Sequence, residues 1–140
     1  MQKIIIYTDG GSRGNPGPSG IGVVINNREY SEFIGEGTNN EAEYKAVIFA
    51  LKKYKALLGK ETIKRAGIEV RSDSELLIKQ LNGEYKISEP RIQKLFIEVW
   101  NLKVDFGNIK FVQIPREENK QADRLANEAL DSQTKKQTLF

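Results

Sequence analysis

The stretch Lys3-Ile4-Ile5-Ile6-Tyr7-Thr8-Asp9, followed by Gly10-Gly11-Ser12-Arg13-Gly14-Asn15-Pro16-Gly17-Pro18, decides how the rest of the chain is read. Residues 3–8 are rich in β-branched side chains and nearly all apolar on both faces. That pattern predicts a strand in the middle of a sheet. The run stops on a carboxylate, Asp9, and the glycines and prolines after it predict a loop. An aspartate before two glycines is equally compatible with a plain turn residue.

Outward from this strand, residues 21–25 predict a second strand, Asn26-Asn27 a turn and residues 28–35 a third strand, the last two paired as an antiparallel hairpin. Thr38 or Asn39 caps a helix running to about Leu58, which Gly59 ends. Residues 67–72 alternate as a fourth strand, with Ile68 and Val70 on one face. A short helix over 74–81 stops at Asn82-Gly83. Pro90 opens a helix to about Leu102 whose apolar stripe is Ile92, Leu95, Phe96 and Val99. A fifth strand over 108–114 and a last helix over about 120–130 complete one domain, residues 1–130. Residues 131–140 are polar and expected to form a flexible tail. The order is β-β-β-α-β-α-α-β-α. A right-handed crossover makes strands one and four parallel. The expected class is α/β, with strands 1, 4 and 5 parallel, 2 and 3 antiparallel, and helices on both faces. Ligands in such sheets tend to sit beyond the carboxyl ends of the parallel strands. Asp9 and Asp73 fall there.

Composition narrows the chemistry. The 140 residues contain no cysteine and no histidine. Disulfides, thiolate or imidazole metal sites, and Ser-His-Asp or Cys-His catalysis are therefore excluded. An enzyme of this composition works with carboxylates, amines, hydroxyls or bound ions. The net charge of +3 and the sequence pI of about 9.0 are compatible with a polyanionic partner without establishing one. The apolar run at residues 4–7 is too short to span a bilayer or form a signal-peptide core. A cytoplasmic protein without membrane contact is expected, with a monomer as the default.

Two further carboxylates stand on faces that should be buried. In the first helix, Glu43 is followed at helical spacing by Ala46, Val47 and Ala50, which puts it on the sheet-facing side. Glu41, about 200° around the helix, is expected to face water. In the last helix, Asp123 is followed by Ala126 and Leu130, again on the inward face. An unpaired carboxylate on a buried face is costly. It must be protonated, paired or metal-bound. Singly, Asp73 could cap the following helix, Glu43 could pair with a lysine, and Asp123 with Arg124 or Arg116. Jointly, Asp9, Glu43, Asp73 and Asp123 are better explained as one cluster whose mutual repulsion a divalent cation relieves. Hard oxygen donors favour Mg²⁺ or Mn²⁺ over zinc.

These residues resemble a known pattern. Tyr7-Thr8-Asp9-Gly10-Gly11-Ser12 with Gly14-Asn15-Pro16-Gly17 is similar to the opening motif of type 1 ribonuclease H. Thr38-Asn39-Asn40 with Glu43, Ser72-Asp73-Ser74, and Asn119-Lys120-Gln121-Ala122-Asp123-Arg124-Leu125-Ala126 resemble the next three motifs, in the family's order. The stretch Pro115-Arg116-Glu117-Glu118-Asn119 is most like compact archaeal and bacterial members. The resemblance implies a ribonuclease H-like fold and hydrolysis of the RNA strand of RNA–DNA hybrids, leaving 5′-phosphate and 3′-hydroxyl ends. It implies two Mg²⁺ ions, with Mn²⁺ as a substitute, held by Asp9, Glu43, Asp73 and Asp123. Asp9 would be shared, Glu43 and Asp73 would complete one site, and Asp123 the other. It also implies hybrid contacts from Gly11, Ser12, Arg13, Gly14 and Asn15, with Asn39 and Asn40 in the minor groove and Thr38 on a DNA phosphate. Thr38 and Asn39 are compatible with simple helix capping as well.

The chain departs from the family in places. Many members carry a histidine in the loop before the last aspartate; here that loop holds Arg116, Glu117 and Glu118, and Arg116 is the candidate assistant. Glu36 and Glu75 stand where several relatives carry an arginine and a glutamine that help bind substrate. No basic protrusion follows the third motif, so grip on the DNA strand would fall to Lys79, Lys86, Arg91 and Lys94, residues that a solvated helix face explains equally well. The ending Lys135-Lys136-Gln137-Thr138-Leu139-Phe140 loosely resembles a sliding-clamp-binding peptide. The alternatives are a non-catalytic hybrid-binding domain, a same-fold nuclease with another substrate such as double-stranded RNA, and a nucleotide-binding module. The last is disfavoured, because the glycine-rich loop lacks a Gly-Lys-Ser/Thr ending.

Overall fold

A computed structural model describes the backbone of residues 3–138 and the side chains of residues 3–133. The elements are β1 (Lys3–Ser12), β2 (Gly17–Ile25), β3 (Arg28–Gly37), α1 (Asn39–Leu58), α2 (Lys60–Ile63), β4 (Gly67–Ser72), α3 (Glu75–Leu81), α4 (Pro90–Val104), β5 (Asn108–Gln113), a 3₁₀ turn (Arg116–Glu118) and α5 (Lys120–Thr138). One sheet runs in the order β3-β2-β1-β4-β5. β1 pairs antiparallel with β2 and parallel with β4, β2 pairs antiparallel with β3, and β4 pairs parallel with β5. The doubly apolar β1 is the central strand, as its sequence requires.

Alternation along β2 shows how the layers form. Ile21, Val23 and Ile25 point into the main core, where they meet Tyr44, Val47 and Leu51 of α1. Ile92 and Val99 of α4 belong to the same core. Gly20 and Gly22 point the other way, against α5. Helices therefore cover both faces. Burying an apolar face of this size is the main stabilising term for the domain. Among the described residues no helix is long and apolar enough to cross a membrane.

Four expectations need correction. The glycine-rich segment after Asp9 is not a loop throughout: β1 continues to Ser12 and β2 starts at Gly17, leaving only a short connection. The register Gly10↔Ile21, Gly11↔Gly20 and Ser12↔Ser19 pairs these residues fully. The segment after Gly59, where the sequence predicts a loop, contains the short helix α2. The last helix continues past Leu130 to Thr138. Glu41 does not face water. Its side chain is only 13% exposed, and it reaches back to accept from the Thr38 backbone N–H while Thr38 Oγ1 accepts from the Glu41 N–H. This is a capping box, in which first-turn geometry overrides the helical wheel. The clamp-like peptide at residues 135–140 falls outside the described side chains.

Candidate active site

Two glycines set the positions of the buried acids. A Cβ on Gly10 would lie 2.4 Å from both the carbonyl carbon and the oxygen of Ala42 and 2.7 Å from the Glu43 nitrogen. Only glycine lets α1 approach β1 this closely, and the approach brings Glu43 to Asp9. A Cβ on Gly22 would lie 2.0 Å from the Ala122 carbonyl oxygen. Gly22 is the cross-strand partner of Asp9, and such partners share a face of the sheet. The helix seated on Gly22 thus presents Asp123 to the Asp9 side. Asp73 follows β4 directly. It stands two residues beyond the Tyr7↔Arg71 pairing, level with Asp9.

Carboxylate oxygens of Asp9, Glu43 and Asp73 all lie within 4.8 Å of one another. Asp123 is outside this trio but lines the same cleft. Its charge acts on Asp9 and helps to raise the Asp9 pKa. The simpler readings of these acids do not hold. Asp9 is a strand residue with a ladder partner. Ser74, not Asp73, caps α3 by accepting from the Leu77 N–H at 3.2 Å. Arg124 binds Glu29 and Glu128 and leaves Asp123 to the cleft.

The electrostatics follow from this crowding. Burial, then the charges of Asp73 and Asp123, push the Asp9 carboxyl from 3.8 to about 8, against the favourable Gly10 N–H. Burial, then Asp9 and Asp73, push Glu43 well above the usual carboxylate range. Glu43 is only 9% exposed and accepts one backbone bond, from the Gly10 N–H at 2.5 Å. A charge-assisted hydrogen bond contributes about 1.5–3 kcal/mol. Burying a carboxylate costs several kcal/mol. One bond does not offset that cost beside two more acids, so the cluster demands protons or a cation.

The cleft has a volume of about 730 Å³ and is also lined by Gly11, Asn15, Thr38, Asn39, Asn40 and Arg116. Arg116 sits on the exposed 3₁₀ turn. Asn15 Oδ1 accepts from the Asn39 N–H at 3.0 Å, and Asn39 Oδ1 accepts from the Ser12 N–H at 2.8 Å. These two bonds lock the β1–β2 connection to the start of α1. Ser12, Arg13 and Gly14 do not line the cleft. Ser12 Oγ donates to the Gly37 carbonyl at 2.8 Å, and Arg13 pairs with Asp131 at 2.6 Å. Of the proposed DNA-strand cations, Lys79 pairs with Glu75 and Arg91 lies 3.9 Å from Glu41.

The residue that sequence reasoning left without a role is Asn119. It is 1% exposed. Its Nδ2 donates to the Thr8 carbonyl at 2.9 Å and, more weakly, to Asp73 Oδ1 at 3.4 Å. It therefore ties the start of α5 to β1 and Asp73. Its partner is the Thr8 carbonyl, far away in the chain, and no local spacing marks such a contact. The oxygens Asn119 Oδ1 and Asn40 Oδ1 are buried without a hydrogen-bond partner. Such orphaned acceptors are costly unless something fills them.

Comparison with known proteins agrees with this geometry. Residues 7–129 match the family described as reverse transcriptase-like. The chain is 38% identical over 139 residues to the bifunctional protein Rv2228c of Mycobacterium tuberculosis, covering 93% of this chain and 36% of that protein. It thus spans about a third of that relative. Ribonuclease HI of Halobacterium salinarum is 38% identical over 135 residues, covering 92% of this chain and 65% of the relative. The crystal structure of LC11-RNase H1 in complex with an RNA/DNA hybrid superposes with a TM-score of 0.88 at 47% identity, covering 94% of this chain and 99% of that one. Motif order, sheet order and the acidic cleft all converge with these similarities: the chain belongs to the type 1 ribonuclease H family.

Proposed function

We propose that this chain is an endonuclease that hydrolyses the RNA strand of RNA–DNA hybrids, leaving 5′-phosphate and 3′-hydroxyl ends. The observation that carries the proposal is the trio Asp9, Glu43 and Asp73, with oxygens within 4.8 Å of one another, in a cleft that Asn15, Thr38, Asn39 and Asn40 also line. That a family neighbour was crystallised with an RNA/DNA hybrid supports the choice of substrate.

The donor set fits divalent cations. It consists of hard carboxylate oxygens, crowded enough to raise their own proton affinity. Asp9, Glu43 and Asp73 would hold one Mg²⁺ or Mn²⁺, and Asp9 with Asp123 a second. When bound, such a pair activates water and stabilises the developing charge on the phosphate. In the reaction a water oxygen bonds to phosphorus, the P–O3′ bond breaks, and the departing 3′ oxygen takes up a proton.

The chain's own groups position the substrate for this step. Asn40 lines the cleft, where its side-chain amide would meet a base edge or a 2′-hydroxyl; the latter distinguishes RNA from DNA. The Asn15–Asn39–Ser12 bonds keep that wall rigid before substrate arrives, which reduces the ordering cost on binding. Arg116, which also lines the cleft, would supply a positive charge for the substrate's phosphates.

The test is a labelled hybrid with Mg²⁺, an EDTA control, and Asp9→Asn. Cleavage of the RNA strand by wild type alone is expected, with the variant slower by about a hundred- to a thousandfold, as for loss of a main charge-stabilising group. Binding of the hybrid by wild type without cleavage, in Mg²⁺ and in Mn²⁺, would show a binding domain instead.

A further inference from the structure

At the amino ends of the parallel strands lies a second cleft, of about 350 Å³, lined by Lys3, Lys64, Arg65, Gly67, Asn108 and Lys110 among others. Among the described residues no carboxylate lines it. Its walls are the connection from α2 to β4 and the connection from α4 to β5. They are pinned together: the Gly107 N–H donates to the Ile63 carbonyl at 3.0 Å, and a Cβ on Gly107 would fall 2.0 Å from the Lys64 carbonyl oxygen. The cleft is therefore built by backbone packing and does not depend on the positions of its long side chains.

The charge balance around it is one-sided. Glu69 is occupied by Lys3 at 2.7 Å and Arg71 at 2.6 Å. Asp105 is occupied by Lys55 at 2.7 Å, with Lys60 and Lys64 close enough to lower its pKa further. Glu61 reaches Lys64 only at 3.9 Å, from an exposed position. Arg65 and Lys110 form no ion pair among the described residues. Exposed cations converging on a preformed cleft suit an anion with several closely spaced charges.

We propose that this cleft holds the phosphodiester backbone of a single-stranded nucleic-acid segment, remote from the carboxylate cluster. The choice of nucleic acid among phosphate carriers rests on the function proposed above. The cleft is too small for a duplex and admits one backbone. Among the described residues it has no aromatic lining, so bases do not stack there and binding is indifferent to sequence. Six residues of extended strand separate Lys3 from Asp9, about 20 Å at the usual rise. The cleft thus lies at the far end of β1 from the carboxylates, a separation that a flexible single strand continuing from a bound hybrid would span.

The experiment measures binding of a labelled oligothymidylate to the full chain in EDTA, over a series of salt concentrations. The variants are Arg65→Ala/Lys110→Ala, the charge-preserving Arg65→Lys/Lys110→Arg, and a charge-matched control, Arg28→Ala/Lys52→Ala. The alanine double variant is expected to bind about tenfold more weakly at low salt. The slope of log affinity against log salt should shrink by about 1.4, or 0.7 for each lost phosphate contact on a single strand. The charge-preserving variant and the control should bind like wild type, with melting temperatures unchanged throughout. Equal binding by wild type and the alanine variant overturns the proposal. So does an equal loss in the control, or stabilisation of wild type by inorganic tripolyphosphate without oligothymidylate binding. Asp9→Asn should bind oligothymidylate normally. Failure of the hybrid-cleavage assay would therefore leave this result standing, and the reverse also holds.

Discussion

The two ends of the same parallel strands carry opposite charge. The carboxyl ends gather Asp9, Glu43, Asp73 and Asp123; the amino ends gather Lys3, Lys64, Arg65 and Lys110. The difference that matters is burial. Lys64, Arg65 and Lys110 are exposed, and water and salt screen their repulsion. That end tolerates a polyanion without needing one. The acids are held inside by two glycine contacts, and Asp9 and Glu43 hold their protons far above the ordinary range. That end cannot stay both fully ionised and unliganded without loss of stability. Like charges gathered in the open permit a ligand, whereas like charges gathered under packing require one.

The largest effect expected from breaking this contrast comes from Gly10→Ala. Its methyl group would meet the α1 backbone at 2.4 Å, and backbone cannot rotate out of the way. A loss of about 3 kcal/mol or more in urea unfolding is expected, with loss of hybrid cleavage as Glu43 moves off Asp9. Gly11→Ala is the matched control. Nothing lies within 4 Å of its Cβ, and its stability should change by less than about 1 kcal/mol. Equal stability of the two variants would mean that Gly10 does not set the helix position.

A second, smaller effect sharpens the electrostatic side. The folded Asp9 pKa of about 8 exceeds the unfolded value of 3.8. Between those values the folded chain keeps a proton that the unfolded chain has released. Its contribution to stability therefore falls as pH rises from about 4 to about 8, then levels off. In EDTA, wild type should lose stability across that window relative to Asp9→Asn. The variant should be the more stable at pH 8, by roughly 2 kcal/mol once charge sharing with its neighbours is allowed for. Mg²⁺ should raise the wild-type melting temperature more at pH 8 than at pH 5, because protons compete for the same oxygens. A wild-type minus variant difference that is flat with pH would remove the acid cluster as the cause.

Much of this contrast was legible in the sequence, and the losses have physical causes. β1 declared itself by being apolar on both faces, and Glu43 by its alanine and valine neighbours at helical spacing. The glycines after Asp9 were misread because a glycine needed for close approach looks the same as one needed for a turn. Only the partner, the α1 backbone at Gly10 or the α5 backbone at Gly22, tells them apart. Glu41 was misplaced because a helical wheel assumes that side chains point outward, whereas in the first turn they can reach back to orphaned N–H groups. The basic cleft was invisible because its residues come from β1, the α2–β4 connection and β5, with no spacing in common. The role of Asn119 depends on the Thr8 carbonyl, more than a hundred residues away in the chain.

The smallest predicted effect concerns Thr38, which lines the acidic cleft and also caps α1 through the box with Glu41. Both roles use the same hydroxyl, but they ask different things of it. The cap needs only an acceptor within reach of the Glu41 N–H, now at 3.1 Å. Contact with a DNA phosphate needs a donor, and the hydroxyl hydrogen remains available for it. Thr38→Ala should therefore cost about 1 kcal/mol of stability and raise the KM for the hybrid. Thr38→Asp keeps a capping acceptor but places a negative charge where the phosphate would sit. It should unfold like wild type and bind hybrid more weakly than the alanine variant. If Thr38→Asp binds hybrid as well as wild type does, Thr38 serves the helix alone, and the substrate-facing wall of the cleft reduces to Asn15, Asn39 and Asn40.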